Sequence, residues 1–96
     1  EENSIVRSGN TKYKAKKYEE AEIAYKKAID VKPESFRATF NLGDALFQQK
    51  KYDEAIKEFK ILSTKEKDKM RLASIFYNMG NSQMMSSKLD DAIDSY

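Results

Sequence analysis

One twenty-residue pattern occurs three times in this 96-residue chain. It reads VRSGNTKYKAKKYEEAEIAY from Val6 to Tyr25, FNLGDALFQQKKYDEAIKEF from Phe40 to Phe59, and YNMGNSQMMSSKLDDAIDSY from Tyr77 to Tyr96. Gly9 and Gly43 are 34 residues apart, and Gly43 and Gly80 are 37 apart. Ala21, Ala55 and Ala92 keep the same two intervals. So do Tyr25, Phe59 and Tyr96, and so do Tyr18, Tyr52 and Leu89. A fixed period of this size marks stacked supersecondary units, each unable to bury its apolar face alone.

Within each unit the periodicity is helical. Leu42, Gly43, Leu46 and Phe47 recur at spacings of three and four, as do Ala55, Ile56, Phe59 and Leu62. QKKYDE separates the two stretches, matched by AKKYEE and SSKLDD in the other units. Lysine closes one helix and acidic residues open the next, and both placements suit the helix dipole. Each unit therefore reads as a helix, a tight turn and an antiparallel helix. The glycine is expected to face the alanine twelve residues on, letting the two helices approach closely. The carboxylate pairs Glu19–Glu20, Asp53–Glu54 and Asp90–Asp91 fall at the second helix of each unit. Their threefold repetition marks them as helix-start charge rather than acid/base pairs.

Composition narrows the function classes. Hydrophobic residues make up 40% and charged residues 35%, which suits an elongated helical protein with much wet surface. One proline and three glycines leave few helix breakers. The net charge of +2 gives no electrostatic case for nucleic acid or anionic membrane. No apolar run approaches the ~18–20 residues of a membrane span. With no histidine and no cysteine, the common catalytic bases, thiol nucleophiles and soft-metal ligands are absent. No enzyme, metal or cofactor is expected. Lys12, Lys14, Lys16 and Lys17, and Lys26 and Lys27, alternate with Glu19, Glu20 and Glu22 and read as a solvated face.

The motifs resemble the tetratricopeptide repeat family along the whole chain, with its Leu-Gly, Ala, Phe and Pro positions at a 34-residue period. The middle unit carries Leu42, Gly43, Leu46, Ala55 and Phe59. The first carries Gly9, Ala21, Tyr25, Ala28 and Pro33, and the third Phe76, Met79, Gly80, Ala92 and Tyr96. Ser8 replaces the leucine, Lys12 and Gln83 the tyrosine, and Ile5 and Thr39 the tryptophan. Lys16, Lys50 and Ser87 stand where the family often has a turn glycine; a left-handed backbone there costs about 1 kcal/mol for each. The resemblance implies an all-α fold, helix-turn-helix repeats stacked as a short right-handed superhelix of about two and two-thirds repeats. As one domain, residues 1–96 divide into repeats 2–35, 36–69 and an incomplete 73–96, with an insertion at 70–72. Asp68 is expected to cap a lengthened helix from about Lys69 to Ser86. A short helix from Leu89 to Tyr96 should follow. At about eight residues it is too short to stand alone. The natural chain is expected to continue beyond it, and this segment to fray or to bury itself against another copy.

EAEIAYKKAIDVKPES, ATFNLGDALF and KEKDKMRLASIFYNMGNS further resemble the repeat proteins of the bacterial aerotolerance (Bat) group. That resemblance implies a cell-envelope or periplasmic setting and von Willebrand-type partner proteins. The absence of cysteine leaves a cytoplasmic setting open.

The family resemblance also implies where a partner binds. The concave face is lined by the second, fifth, ninth, twelfth and thirteenth positions of each first helix. The middle unit places Arg37, Phe40, Asp44, Phe47 and Gln48 there. The first places Asn3, Val6, Asn10, Tyr13 and Lys14, and the third Ser74, Tyr77, Asn81, Met84 and Met85. Phe40, Tyr77, Tyr13, Phe47 and Met84 form an aromatic and apolar strip suited to anchoring a peptide. Asn10 and Asn81 can bond its backbone, and Arg37 can fork onto a carboxylate. Tyr13, Phe47 and Met84 read equally well as wedges between helices. The carboxylate clamp of chaperone-tail binders is excluded. Asn10 and Asn41 occupy its asparagine places, but Val6, Ser74 and Asn78 stand where it needs cations. The expected function is a non-enzymatic protein-interaction module; the rival is an assembly unit that associates end to end or with itself.

Overall fold

A computed structural model describes residues 1–94 and contains five α-helices in a row. They are α1 (Glu2–Lys14), α2 (Tyr18–Val31), α3 (Phe36–Gln48), α4 (Tyr52–Lys65) and α5 (Lys69–Asp94). Each helix packs against the next. In addition α1 touches α3 and α3 touches α5, whereas α2 and α4 make no comparable contact. The odd-numbered helices therefore converge on the concave side of the stack.

Local chemistry fixes the ends. Ser35 caps α3: its Oγ accepts from the Ala38 amide at 3.2 Å and donates to the Glu2 carboxylate, tying α3 to the start of α1. Asp68 caps α5 as expected, Oδ2 accepting from the Arg71 amide at 2.9 Å. Glu19 and Glu20 open α2, and Asp53 and Glu54 open α4. The turns between α1 and α2 and between α3 and α4 share one geometry. Lys17 N bonds Lys12 O and Lys16 N bonds Tyr13 O, and Lys51 N and Lys50 N repeat this with Leu46 O and Phe47 O. This is the Schellman pattern, and it puts Lys16 at φ 62° and Lys50 at φ 64°. Both lysines carry the left-handed cost that a glycine would avoid.

The core runs between the layers through Val6, Ala21, Tyr25, Ala38, Leu42, Leu46, Ala55, Phe59 and Ile75. Each buried aromatic or aliphatic side chain contributes roughly 1.5–3 kcal/mol. What lies nearest to Gly9 and Gly43 is a ring rather than the expected alanine. A Cβ on Gly9 would lie 2.6 Å from Tyr25 Cε1, and one on Gly43 would lie 2.6 Å from Phe59 Cε1 and Cζ. The bare backbone makes room for a ring sixteen residues on, and Ala21 and Ala55 are buried in the same core.

The third unit departs from the hairpin expected of it. α5 runs unbroken from Lys69 to Asp94, through the SSK segment where the turn belonged. The turn needs a left-handed residue at Ser87, and that strain is offset only if a returning helix buries a face. Here the described part of that helix offers little more than Leu89, Ala92 and Ile93. Ser86 instead stays helical, its Oγ donating to Asp53 Oδ1 at 2.7 Å. The expected docking of Tyr96 lies outside the described residues.

Candidate binding groove

Where α1, α3 and α5 converge lies a pocket of about 200 Å³, lined by Tyr13, Asp44, Phe47, Gln48, Phe59, Asn78 and Asn81. That is below the roughly 300–1,000 Å³ of small-molecule sites and suits a single side chain. Asp44 sits within it, and Asn78 Nδ2 donates to Asp44 Oδ1 at 2.9 Å. Burial pushes the Asp44 carboxyl up to about 6, and the Asn78 hydrogen bond only partly counters this. None of the lining residues is a cation. Gln48 Nε2 donates to the Tyr13 hydroxyl at 3.3 Å across the α1–α3 seam. Burial also raises the Tyr13 phenol.

The sequence-predicted residues divide into three groups. Tyr13, Asp44, Phe47, Gln48 and Asn81 meet in the pocket. Tyr13 and Phe47 are also half-buried, edge-on to Tyr18 and Tyr52 respectively, so they are wedges and lining at once. Asn10 and Phe40 are engaged internally. Asn10 Oδ1 accepts from the Tyr25 hydroxyl at 2.6 Å and from Asn41 Nδ2 at 3.2 Å. The Tyr25 phenol is pushed up to about 12, chiefly by burial. Phe40 stacks on Phe36 and meets the edge of Phe59, leaving only part of its ring on the surface. The rest are exposed and do not line the pocket. Arg37 is exposed and donates to Asn3 Oδ1 at 3.0 Å, Lys14 is exposed at the end of α1, and Tyr77 and Met84 are 72% and 51% exposed on α5. Of the remaining lining positions, Val6 is wholly buried, Ser74 exposed and Met85 half-buried.

Two pocket residues escaped the sequence reading. Phe59 belongs to a second helix and reads there as core alone; its ring reaches through beside Gly43 to the concave side. Asn78 appears in the sequence as a missing cation, and its hydrogen bond to Asp44 has no signature at a separation of 34 residues. The two asparagines at the clamp places bond one another, and the carboxylate lining the pocket opposes a negatively charged ligand.

Outside the groove, Glu22 is buried rather than solvated. Its carboxylate accepts from Gln49 Nε2 at 2.8 Å and pairs with Lys26 at 2.7 Å and Lys51 at 3.4 Å. Burial opposes its charge, but the Lys26 and Gln49 hydrogen bonds outweigh this and hold the carboxyl below its usual value. Lys51 and Gln49 belong to the α3–α4 turn, so Glu22 ties the two hairpins together. Among the described residues no cluster of acidic groups could hold a metal, and no helix is long and apolar enough to cross a membrane.

Comparison with known proteins agrees with the repeat geometry. The profile of the tetratricopeptide repeat family matches residues 6–63, which takes in α2, α3 and nearly all of α4. Over 92 residues the chain is 30% identical to a Dictyostelium discoideum protein described as a STIP1 homolog. That match covers 92% of this chain but spans only 16% of the relative's length. On the repeated hairpins, the ring-on-glycine packing and the profile match together, the chain belongs to the tetratricopeptide repeat family, a family of protein-interaction modules.

Proposed function

We propose that this chain is a non-catalytic module that holds an extended partner segment along the α1–α3–α5 face, with a lysine or arginine side chain seated on Asp44. The observation that carries the reading is a desolvated carboxylate in a pocket with room for one side chain and no cation of its own. A partner cation would supply the missing countercharge. Tyr13, Phe47 and Phe59 provide aromatic walls for its aliphatic stem, and ring faces attract the cation. Gln48 and Asn81 border the pocket with groups that can donate and accept along a peptide backbone. Tyr77 and Met84, exposed on α5, and Arg37, exposed on α3, would extend the contact beyond the pocket.

The test is a peptide array probed with the purified chain, each hit then rescanned with single substitutions. Hits should require one lysine or arginine, and replacing it with norleucine or glutamate should remove binding. Binding that tolerates both replacements contradicts the reading. The aerotolerance resemblance adds von Willebrand-type domains, and with them a cell-envelope setting, to the partners worth screening; the groove reading does not depend on it. A second reading, self-association, is favoured by the bare face of α5.

A further inference from the structure

Among the described residues, Glu22, Ser35, Thr39 and Ser82 are the buried polar or charged side chains. Glu22 bonds Lys26 and Gln49, Ser35 bonds Glu2 and the Ala38 amide, and Ser82 bonds the Asn78 carbonyl. The Thr39 hydroxyl has no hydrogen-bond partner among the described residues, although Thr39 is only 7% exposed. Nor is that hydroxyl sealed within the core. Thr39 lines a second pocket, of about 230 Å³, at the end of the stack away from the α1–α2 and α3–α4 turns.

Pro33 from the α2–α3 connection, Phe36 and Thr39 from the start of α3, and Ile61, Leu62 and Lys65 from the end of α4 frame this pocket. Phe36 is a fixed wall: it stacks on Phe40, and the Arg71 guanidinium lies 4.6 Å from its ring centre. Pro33, Ile61 and Leu62 make the rest of the wall chiefly apolar. Ser35 and Glu66 also border the space, but both are engaged: Ser35 as above, and Glu66 Oε2 by the Lys67 and Asp68 amides. That leaves the Thr39 hydroxyl as the unmet group of the buried wall.

Thr39 stands one turn before Gly43, at the place of the family's tryptophan. Ile5 and Phe76 hold the same place in the other two units. Only the middle unit therefore has a small polar side chain where a large apolar one is usual, and the pocket lies beside it. In the third unit Phe76 is 53% exposed, and a Cβ on Gly80, one turn on, would meet nothing within 4 Å, because α5 runs on without a returning helix. The middle unit has that helix, and α4 walls the pocket with Ile61 and Leu62.

We infer that this pocket seats a tyrosine side chain of a partner protein, its ring taking the space that Thr39 leaves and its hydroxyl bonded to Thr39 Oγ1. An apolar cavity of about 150 Å³ accepts a benzene ring. The 230 Å³ here admits such a ring with a substituent. A threonine hydroxyl and a phenol each donate and accept, so the pair can bond in either sense. A phenylalanine or leucine would cover Oγ1 and leave it unmet, at the cost of its desolvation. This pocket shares no lining residue with the one around Asp44, so the two are separate sites.

An NMR titration of the methyl-labelled chain with p-cresol, the tyrosine side chain alone, tests the site. The methyl signals of Thr39, Ile61 and Leu62 should shift together and saturate. Toluene, which lacks only the hydroxyl, should bind there about fivefold more weakly. N-acetyltyrosinamide should bind at least as tightly as p-cresol, because a ring carried on a chain needs room for its main chain. Thr39→Val keeps the shape, removes the hydroxyl and should bring p-cresol and toluene level. Thr39→Trp should fill the space and abolish binding; if the larger ring prevents folding, Thr39→Val decides alone. Asp44→Asn should bind p-cresol at these methyls as wild type does, which keeps the result apart from that of the peptide groove. Four results overturn the inference: no shift of these methyls up to roughly 10 mM p-cresol, toluene or indole bound as tightly as p-cresol, N-acetyltyrosinamide bound more weakly, or a Thr39→Val chain that still prefers p-cresol.

Discussion

The ring of Phe59 occupies the space a Cβ of Gly43 would need, with Cε1 and Cζ only 2.6 Å from that point. Phe59 is wholly buried, so its ring cannot swing into solvent to make room. Gly43→Ala should therefore force α3 and α4 apart and cost about 1–3 kcal/mol, with Gly43→Leu worse. Thermal melts should fall by roughly 4–8 °C per kcal/mol in a domain of this size. Gly80→Ala should leave the melt of the dilute chain where it is. Equal losses at the two glycines would contradict the packing described.

Asp44 gives folding a distinct pH signature. Its carboxyl is raised from 3.8 to about 6 by burial, so the folded chain binds a proton more tightly than the unfolded chain. The charged group is a penalty, complete above about 6 and relieved as pH falls toward 3.8. Wild type should thus gain stability from this group between about pH 7 and pH 4, on the order of 2 kcal/mol. The phenols of Tyr13 and Tyr25, which feel the same charge, titrate well above this window. Asp44→Asn should be the more stable protein at pH 7.5 and should lose this part of the pH dependence. Urea melts of both proteins at several pH values decide the point.

Glu22 works in the opposite direction. Its carboxyl is held below the usual value by Lys26 and Gln49, so its contribution is present above about pH 4.5 and lost on acidification through its lowered folded value. Glu22→Ala leaves Gln49 Nε2 without its carboxylate partner and removes the tie between the first hairpin and the α3–α4 turn. A loss of about 1–3 kcal/mol is expected. Glu20→Ala, whose pairing with Lys12 at 3.4 Å is exposed, should cost well under 1 kcal/mol.

Phe40 and Tyr77 occupy equivalent places in their units but different surroundings. Phe40 is wedged against Phe36 and Phe59, so Phe40→Ala should cost about 3–5 kcal/mol. Tyr77 is largely exposed, and Tyr77→Ala should stay within about 0.5 kcal/mol of wild type. Calorimetry on the two variants separates a packed ring from an exposed one.

The spacing of Gly9, Gly43 and Gly80 was enough to read the repeat and the helix pairs, because close packing at a fixed period leaves a fixed imprint. It could not say what each glycine touches. In a repeat every offset is conserved, so Ala21 and Tyr25 are equally consistent partners for Gly9. The unbroken α5 was hidden for another reason. SSKLDD carries the same local signals as QKKYDE, but a turn with a strained left-handed residue forms only where a returning helix offsets it. That Asp44 and Asn81 share one side of the stack was legible from their repeat positions. The contributions of Phe59 and Asn78 depend on how far α3 and α5 converge, which no single repeat records. Glu22 sat in a lysine-rich stretch that looked solvated; only the neighbouring hairpin buries it.

An NMR titration of the labelled chain with a lysine-containing peptide from the array tests the central claim most directly. The side-chain amides of Gln48, Asn78 and Asn81 should shift together at pH 7.5. The shifts should weaken as pH drops through about 6 and Asp44 is protonated, and should be lost in Asp44→Asn. Shifts confined to α2 and α4, or an Asp44→Asn variant that binds the peptide as wild type does, would contradict the account.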